Sequence, residues 1–517
     1  MVIWPAVAVF VALFAVVTVL GFLGPYWKRG DLDVLHEWAL GGRQFGTLVA
    51  WFVIGGDLYT AFTYIAVPGF IYGNGAIGFY ALPYTALAFP WVFVMAARFW
   101  TIAKNRGYIT YADFVRDRYD SRSLTLAIAV TGIMATMPYI ALQLVGIQVV
   151  IKTMGLGGTG IWRDVPLIMA FVILAAYTYR GGLRAPALVA FAKDILIYVT
   201  VIVATVVIAS KLGGYAHIFA ATGTALAARP NPSGLLLQPP AYSEYITLTV
   251  GSALAILMYP YYLTGLLSAA SAKVIRRNAI ALPIYSLLLA LLATFGYMAI
   301  VAGIHPDTSN ETVPQLFLHM FPAWFLGFTL AAIAIGALVP AAIMSIAAAN
   351  LFTRNIYREF INPACSDRQE ATNAKLTSLF VKFGALAFVL SLPMEYAINL
   401  QLFAGGWILQ TLPTIVFGMY TRFFHRRALI VGWLIGLAIA TYMPIHTFRT
   451  LGHFSSLYGL HVGSAVVTGF VGLYALGINL AVTTILTVVF DAMRIPRGAD
   501  RTQPADYIED TEKPIAA

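Results

Sequence analysis

The chain has 517 residues, 60% hydrophobic and only 10% charged, with a mean hydropathy of +0.80. Globular chains carry about 25% charged residues, so this composition excludes a soluble domain and indicates an all-α polytopic membrane protein whose partner is the lipid bilayer. The net charge of +10 does not point to nucleic acid, because the lysines and arginines sit in short loops where they set orientation.

About thirteen transmembrane spans are expected. The first, near 3–23, has no lysine or arginine before it and no small-residue cleavage site after it, so it reads as a retained helix and not a cleaved signal peptide. The others run near 45–70, 75–99, 123–151, 162–179, 185–210, 243–268, 278–303, 324–353, 374–396, 398–420, 427–445 and 466–490. Loop charge alternates. One side holds Lys28, Arg29 and Arg43, then Arg98 to Arg122, Arg180 and Arg184, Lys273, Arg276 and Arg277, Arg354 to Lys375, Arg422, Arg426 and Arg427, and the tail. The other side holds Lys152, Arg163, Lys211, Arg229 and Arg449, so about 25 of the 32 basic residues face 5. The richer side is cytoplasmic. An odd number of spans then places the N-terminus outside and the C-terminus inside. The single cysteine, Cys365, excludes an internal disulfide and a cysteine-based metal cluster, and falls in a cytoplasmic loop as a reduced thiol.

The second span, AWFVIGGDLYTAFTYIAVPG over 50–69, carries Gly55, Gly56 and Asp57 at its centre. Glycine lets the backbone leave helical geometry, and a carboxylate at that depth needs a partner or a function. A kinked structural helix whose Asp57 bonds a neighbour is the plainer alternative. The outer loop 211–242 is rich in proline and glycine, and five spans lie on either side of it. The first span of the later set is interrupted as well, at Tyr259-Pro260-Tyr261-Tyr262; proline removes a helix hydrogen bond and frees a carbonyl. Matching interruptions in two halves point to a binding site between inverted repeats. The expected organisation is an extra helix and cytoplasmic loop over 1–44, a first repeat over 45–210, a second over 243–420, two further helices over 421–492, and a disordered cytoplasmic tail over 493–517.

Four stretches then become specific together: GGDLYTAFTYIAVPGFIYGNG, GYITYADFVRDRYDS, YRGGLRAPA and VPAAIMSIAAANLFTRNIY. In this order they resemble the sodium:solute symporter family, from about residue 40 to 440. The family is similar in architecture to the leucine-transporter-like fold, with a 5+5 inverted-repeat core. The wording IMSIAAANLFTRNIY with APALVAFAKDILIY most resembles its bacterial monocarboxylate permeases. The resemblance implies symport of lactate, pyruvate, acetate and sometimes alanine across the bacterial inner membrane, coupled to Na⁺ or H⁺, with no cofactor. Proline and pantothenate permeases are similar relatives with different pocket residues, and a Na⁺-coupled symporter of such a solute is the alternative.

The resemblance also implies a cation site between the first broken helix and the span 324–353. It offers backbone carbonyls at Gly55, Leu58 and Ala342, the Ser345 hydroxyl and the nearby Asp57. One position departs: Ile346 stands where sodium-coupled relatives carry Ser or Thr, and the site loses an oxygen ligand. Lys193 lies nine residues from cytoplasmic Arg184, about 13 Å deep at 1.5 Å per residue, and Ser345 lies nine residues from Arg354. An ammonium at that level can replace the ion and, once out of water, carry a proton. Equally, Lys193 can snorkel or pair with Asp194 or Asp57.

Candidates for the substrate pocket are Tyr59, Thr60, Tyr139, Gln143, Tyr261, Tyr262, Thr264, Trp407 and Gln410. With no arginine expected at that depth, a small carboxylate would be held by half-helix N-termini, free N–H groups and hydroxyls. Each aromatic could instead be ordinary packing. A membrane enzyme would need inward-facing His or Cys at ligand or nucleophile spacing, and the eight histidines fall in loops or at helix ends. A channel would differ in not accumulating solute.

Overall fold

A computed structural model describes residues 2–28, 30–156, 164–229, 234–391, 397–463 and 465–509. Arg29 and Arg163 of the charge tally, the ends of the expected spans 162–179 and 374–396, and the last residues of the tail lie outside the described residues. Helices of eight residues or more are numbered in chain order. α1 is Trp4–Leu23, α2 Thr47–Gly56, α3 Val67–Asn74, α4 Ala81–Trp91, α5 Ala97–Arg106 and α6 Tyr111–Tyr119. α7 is Arg122–Thr153, α8 Val165–Gly181, α9 Arg184–Lys211, α10 Gly214–Ala227, α11 Tyr242–Met258 and α12 Pro260–Leu267. α13 is Ala272–Ala281, α14 Pro283–Val301, α15 Thr312–Met320, α16 Ala323–Phe352, α17 Asp367–Ser391, α18 Ala397–Leu409, α19 Arg426–Leu451 and α20 Val471–Ala492.

Among the described residues, 11 helical runs are long and apolar enough to cross a membrane, and two shorter apolar helices, Thr47–Gly56 and Val165–Gly181, complete the expected set. The protein is therefore an all-α polytopic membrane protein. Both expected interruptions are present. The span 45–70 breaks after α2 and resumes through a wide turn, Phe62–Ala66, into α3. The span 243–268 breaks at Tyr259, which is extended (φ −65°, ψ 131°) ahead of Pro260.

α16 is the axis of the bundle. Its run AAIAIGALVPAAIMSIAAAN is almost all small or apolar, and it is buried from end to end. Small residues let backbones approach closely: a Cβ on Gly327 would sit 2.3 Å from the Ala6 carbonyl oxygen, so α1 lies directly against it. α7, α9, α12 and α17 also pack on α16.

Three expectations need correction. Residues 466–470 are not helical: Leu457–Val462 and Ala465–Phe470 form an antiparallel hairpin, and the last span starts at Val471. The loop 211–242, expected to be outer, contains a helix, α10, whose Ile218, Thr222 and Leu226 are buried. The tail is ordered through Glu509, because its charges meet partners on the loops expected to be cytoplasmic. Arg118 bonds Asp500, Arg501 pairs with Asp120 at 2.8 Å, and Arg276 pairs with Glu509 at 2.6 Å.

Candidate functional site: a broken-helix cation and solute site

The turn after Gly56 remains unwound because side chains take its N–H groups. In a continuous helix the amides of residues 60, 61 and 62 would bond the carbonyls of 56, 57 and 58. Instead the Thr60 amide donates to Thr63 Oγ1 (2.9 Å), the Ala61 amide to Gln143 Oε1 (2.9 Å) and the Phe62 amide to Thr60 Oγ1 (3.0 Å). Thr60 and Gln143 thus hold the break open. The Thr60 hydroxyl also lies 3.5 Å from that of Tyr139.

Lys193 occupies one of the carbonyls so released and a second at the far side of the break. Its ammonium donates to Gly56 O and, at 3.3 Å, to Tyr59 O. The expected carbonyls were Gly55 and Leu58, one residue earlier in each case. The Gly55 oxygen accepts the local Leu58 amide at 2.9 Å, which is why its neighbour presents the free lone pair. Lys193 also pairs with Asp194 at 3.4 Å, and both side chains are fully buried. Asp194 accepts from the Tyr285 hydroxyl at 2.7 Å, and Tyr59 donates to Tyr285 O at 2.8 Å. Sequence reasoning assigned no role to Tyr285. Its signal is steric: a Cβ on Gly55 would lie 2.3 Å from the Tyr285 ring, so only glycine fits there.

Asp57 caps α2, is 1% exposed, and among the described residues neither carboxylate oxygen has a hydrogen-bond partner. Asp57 Oδ2 lies 3.3 Å from where a Cβ on Gly265 would be, which sets the carboxylate against the second broken helix. Two carboxylates and one ammonium leave this cluster with a formal charge of −1, at a depth where uncompensated charge is expensive.

Ala342 and Ser345 meet on α16, where the Ser345 hydroxyl donates to Ala342 O at 2.7 Å. Ile346 is fully buried and offers no oxygen.

The second break separates two small cavities. The one toward the face expected to be outer, ≈ 30 Å³ and called the outer cavity, is lined by Phe62, Tyr84, Tyr139, Ser252, Tyr259, Tyr261, Gln401 and Phe470 among others. The inner one, ≈ 10 Å³, is lined by Thr110, Pro260, Thr264, Asn350 and Thr411 among others. A single water needs about 10–15 Å³ by the same measure, so both are contracted in this conformation. Of the expected pocket residues, Tyr139 and Tyr261 line the outer cavity and Thr264 the inner one. The Tyr262 hydroxyl is buried without a partner. Tyr59, Thr60 and Gln143 belong to the scaffold of the break. Trp407 and Gln410 face elsewhere: Trp407 donates to Thr441 Oγ1 at 2.9 Å, and Gln410 bonds Gly472 O and Asn479. The added helices α19 and α20 cover that face of α18, which the sequence pattern did not reveal. Tyr84, Tyr259 and Gln401 were missed; the first two are part of an aromatic cluster that local spacing does not bring together.

On the side expected to be cytoplasmic, a wider vestibule of ≈ 550 Å³ is lined by Arg43, Lys104, Arg354 and Glu370 among others. Burial pushes the Arg43 guanidinium down to about 10, against the attraction of Asp113.

Two discontinuous helices facing each other, freed carbonyls and a buried carboxylate between them define a secondary transporter. The chain matches the description of the sodium:solute symporter family over residues 38–436 and belongs to that family. It is 50% identical over 488 residues to a monocarboxylate transport permease protein of Rhizobium johnstonii, covering 94% of this chain and 97% of the relative. It is 24% identical to a sodium/proline symporter of Staphylococcus aureus, covering 90% of each chain. The fold matches the substrate-bound outward-open state of a Na⁺-coupled sialic acid symporter, with a TM-score of 0.73, 17% identity, and coverage of 94% and 98%. Family and relatives are solute symporters, not enzymes.

Proposed function

We propose that the chain takes up short monocarboxylates, among them lactate, pyruvate, acetate and sometimes alanine, by symport with a cation. The observation that carries the reading is the pairing of an uncharged aromatic and hydroxyl cavity with the cluster of Asp57, Lys193 and Asp194. Tyr139 joins the cavity to the break beside that cluster, because its hydroxyl lies near Thr60 and the residue lines the outer cavity. The relative named a monocarboxylate permease supports the substrate class. The coupling ion is H⁺ or Na⁺. Lys193 on the freed carbonyls and Ile346 in place of a hydroxyl favour the proton, which Asp57 can accept. A Na⁺-coupled symporter of a proline-like solute is the second reading, favoured by the open Asp57 oxygens and the sodium/proline relatives.

The transport core comprises 45–210 and 243–420 as inverted repeats, in a bacterial inner membrane, with the N-terminus outside and the C-terminus cytoplasmic. The test is uptake of labelled lactate in proteoliposomes, under an inward pH gradient without sodium and under an inward sodium gradient at uniform pH. Pyruvate and propionate should compete, and proline and glucose should not. Competition by proline alone would replace the first reading with the second.

A further inference from the structure

Lys382 lies in the middle of α17 and is fully buried. Its Nζ donates to Ser378 Oγ at 2.7 Å, one helical turn earlier. Ser378 Oγ lies 3.2 Å from Ser345 Oγ across the α16–α17 seam. The Ser345 hydroxyl spends its hydrogen on Ala342 O, so at the seam it accepts and Ser378 donates. Hydrogen bonds therefore run in one direction, from Lys382 through Ser378 and Ser345 to the Ala342 carbonyl.

An ammonium has three donors, and one acceptor is present. Among the described residues no carboxylate pairs with Lys382. Most of the charged groups on the elements packed against α17 are engaged by other partners. Beyond α16, Arg354 and Arg358 bond Glu370, and Glu359 bonds Arg116 and Arg122. At the end of α7, Lys152 bonds Asp307 and Glu311. In the short helix Leu35–Leu40, Glu37 bonds Arg184, and His36 lies beside it. Arg180 sits in the last turn of α8. On α17 itself, Asp367, Arg368, Glu370 and Lys375 lie in the first turns. A full positive charge at this position needs partners that only a conformation open to water supplies.

We propose that Lys382 is a second coupling residue, which binds a proton in one conformation of the transport cycle and releases it in another, and is linked to Ser345 through the Ser378 hydroxyl. The inference rests on the symport reading and deepens it. The two halves of the expected cation cage are then each engaged by a different lysine: the broken-helix carbonyls by Lys193 directly, and the α16 side by Lys382 through two hydroxyls. Methionine at the same position would fill similar volume without needing a partner, so packing alone gives no reason for a lysine.

The test uses the full chain in liposomes, with Lys382→Met and Ser378→Ala compared with the parent. Lactate counterflow at uniform pH reports binding and translocation without a driving gradient. Accumulation under an inward pH gradient, followed as a pH profile, reports coupling. Lys382→Met should lower accumulation about tenfold or more, within the range of a coupling free energy, flatten the pH profile and leave counterflow within about threefold. Ser378→Ala, which keeps the lysine and removes its link, should shift the profile in the same direction by less, and remains informative if Lys382→Met does not fold. Accumulation and pH profiles equal to the parent's in both variants would overturn the proposal. A parent without lactate counterflow refutes only the substrate assignment. The same comparison with a solute that does exchange then decides on Lys382.

Discussion

Replacing Asp57 with asparagine separates a coupling role from a structural one. The carboxylate is 1% exposed and accepts no hydrogen bond from the described residues, so the nearly isosteric amide breaks no contact seen there. Stability should not fall, because the variant also removes an uncompensated buried charge. The electrostatic effect on a bound cation is large. A cation held about 4 Å from a carboxylate gains about 4 kcal/mol at an effective dielectric of about 20. Losing it corresponds to about a thousandfold in affinity. Asp57→Asn also brings the cluster to a formal charge of zero, because Lys193 and Asp194 already pair at 3.4 Å, and so removes the demand for a cation. Expression and thermal midpoint should stay at or above the parent's while gradient-driven lactate accumulation in proteoliposomes falls to background. A variant that concentrates substrate at near parental rates would refute this reasoning and leave Asp57 a structural residue.

Three further outcomes are expected. Tyr139→Phe removes a hydroxyl shared by the break and the outer cavity and should raise the lactate KM about tenfold, the worth of one hydrogen bond of about 1.4 kcal/mol; an unchanged KM would take Tyr139 out of the pocket. Gln410→Ala should lower stability by about 1–3 kcal/mol by stranding Gly472 O and Asn479, with KM unchanged, and both can be read from a thermal melt and an uptake curve. The Arg116 guanidinium, helped by those of Arg501 and Arg426, holds the Asp120 carboxyl below the usual range. A depressed carboxyl contributes stability above its unfolded value of about 3.9 and loses it as pH falls through the folded value. Acidification below about pH 4 should therefore loosen the tail. Limited pepsin digestion at stepped acid pH should show release of the segment after Met493 accelerating more steeply below about pH 4 in the parent than in a chain with Asp120→Asn, each normalised to its own rate at the mildest acid pH used.

Much of this protein is written in local sequence. Long apolar runs can only be spanning helices, because the bilayer satisfies no backbone group. Gly55-Gly56 and Pro260 mark where helices can break, but the same types stay helical at Pro138, Pro340 and Gly405-Gly406, and the first break is held open by Gln143 from another helix. Lys193 stood out because a lysine inside an apolar run is costly. The same signal was available for Lys382, the only other basic residue outside the loops, but without α16 beside it nothing tied it to Ser345. Tertiary structure decided which faces meet. It turned Trp407 and Gln410 onto α19 and α20, brought Tyr285 from a distant helix to Asp194, and set Gly265 against Asp57. It also ordered a polar tail, since ion pairs such as Arg501–Asp120 join residues 381 positions apart. Periodicity and composition describe a helix and its immediate neighbours; they carry no information on which distant charge or ring closes a buried site, because that depends on how the helices pack.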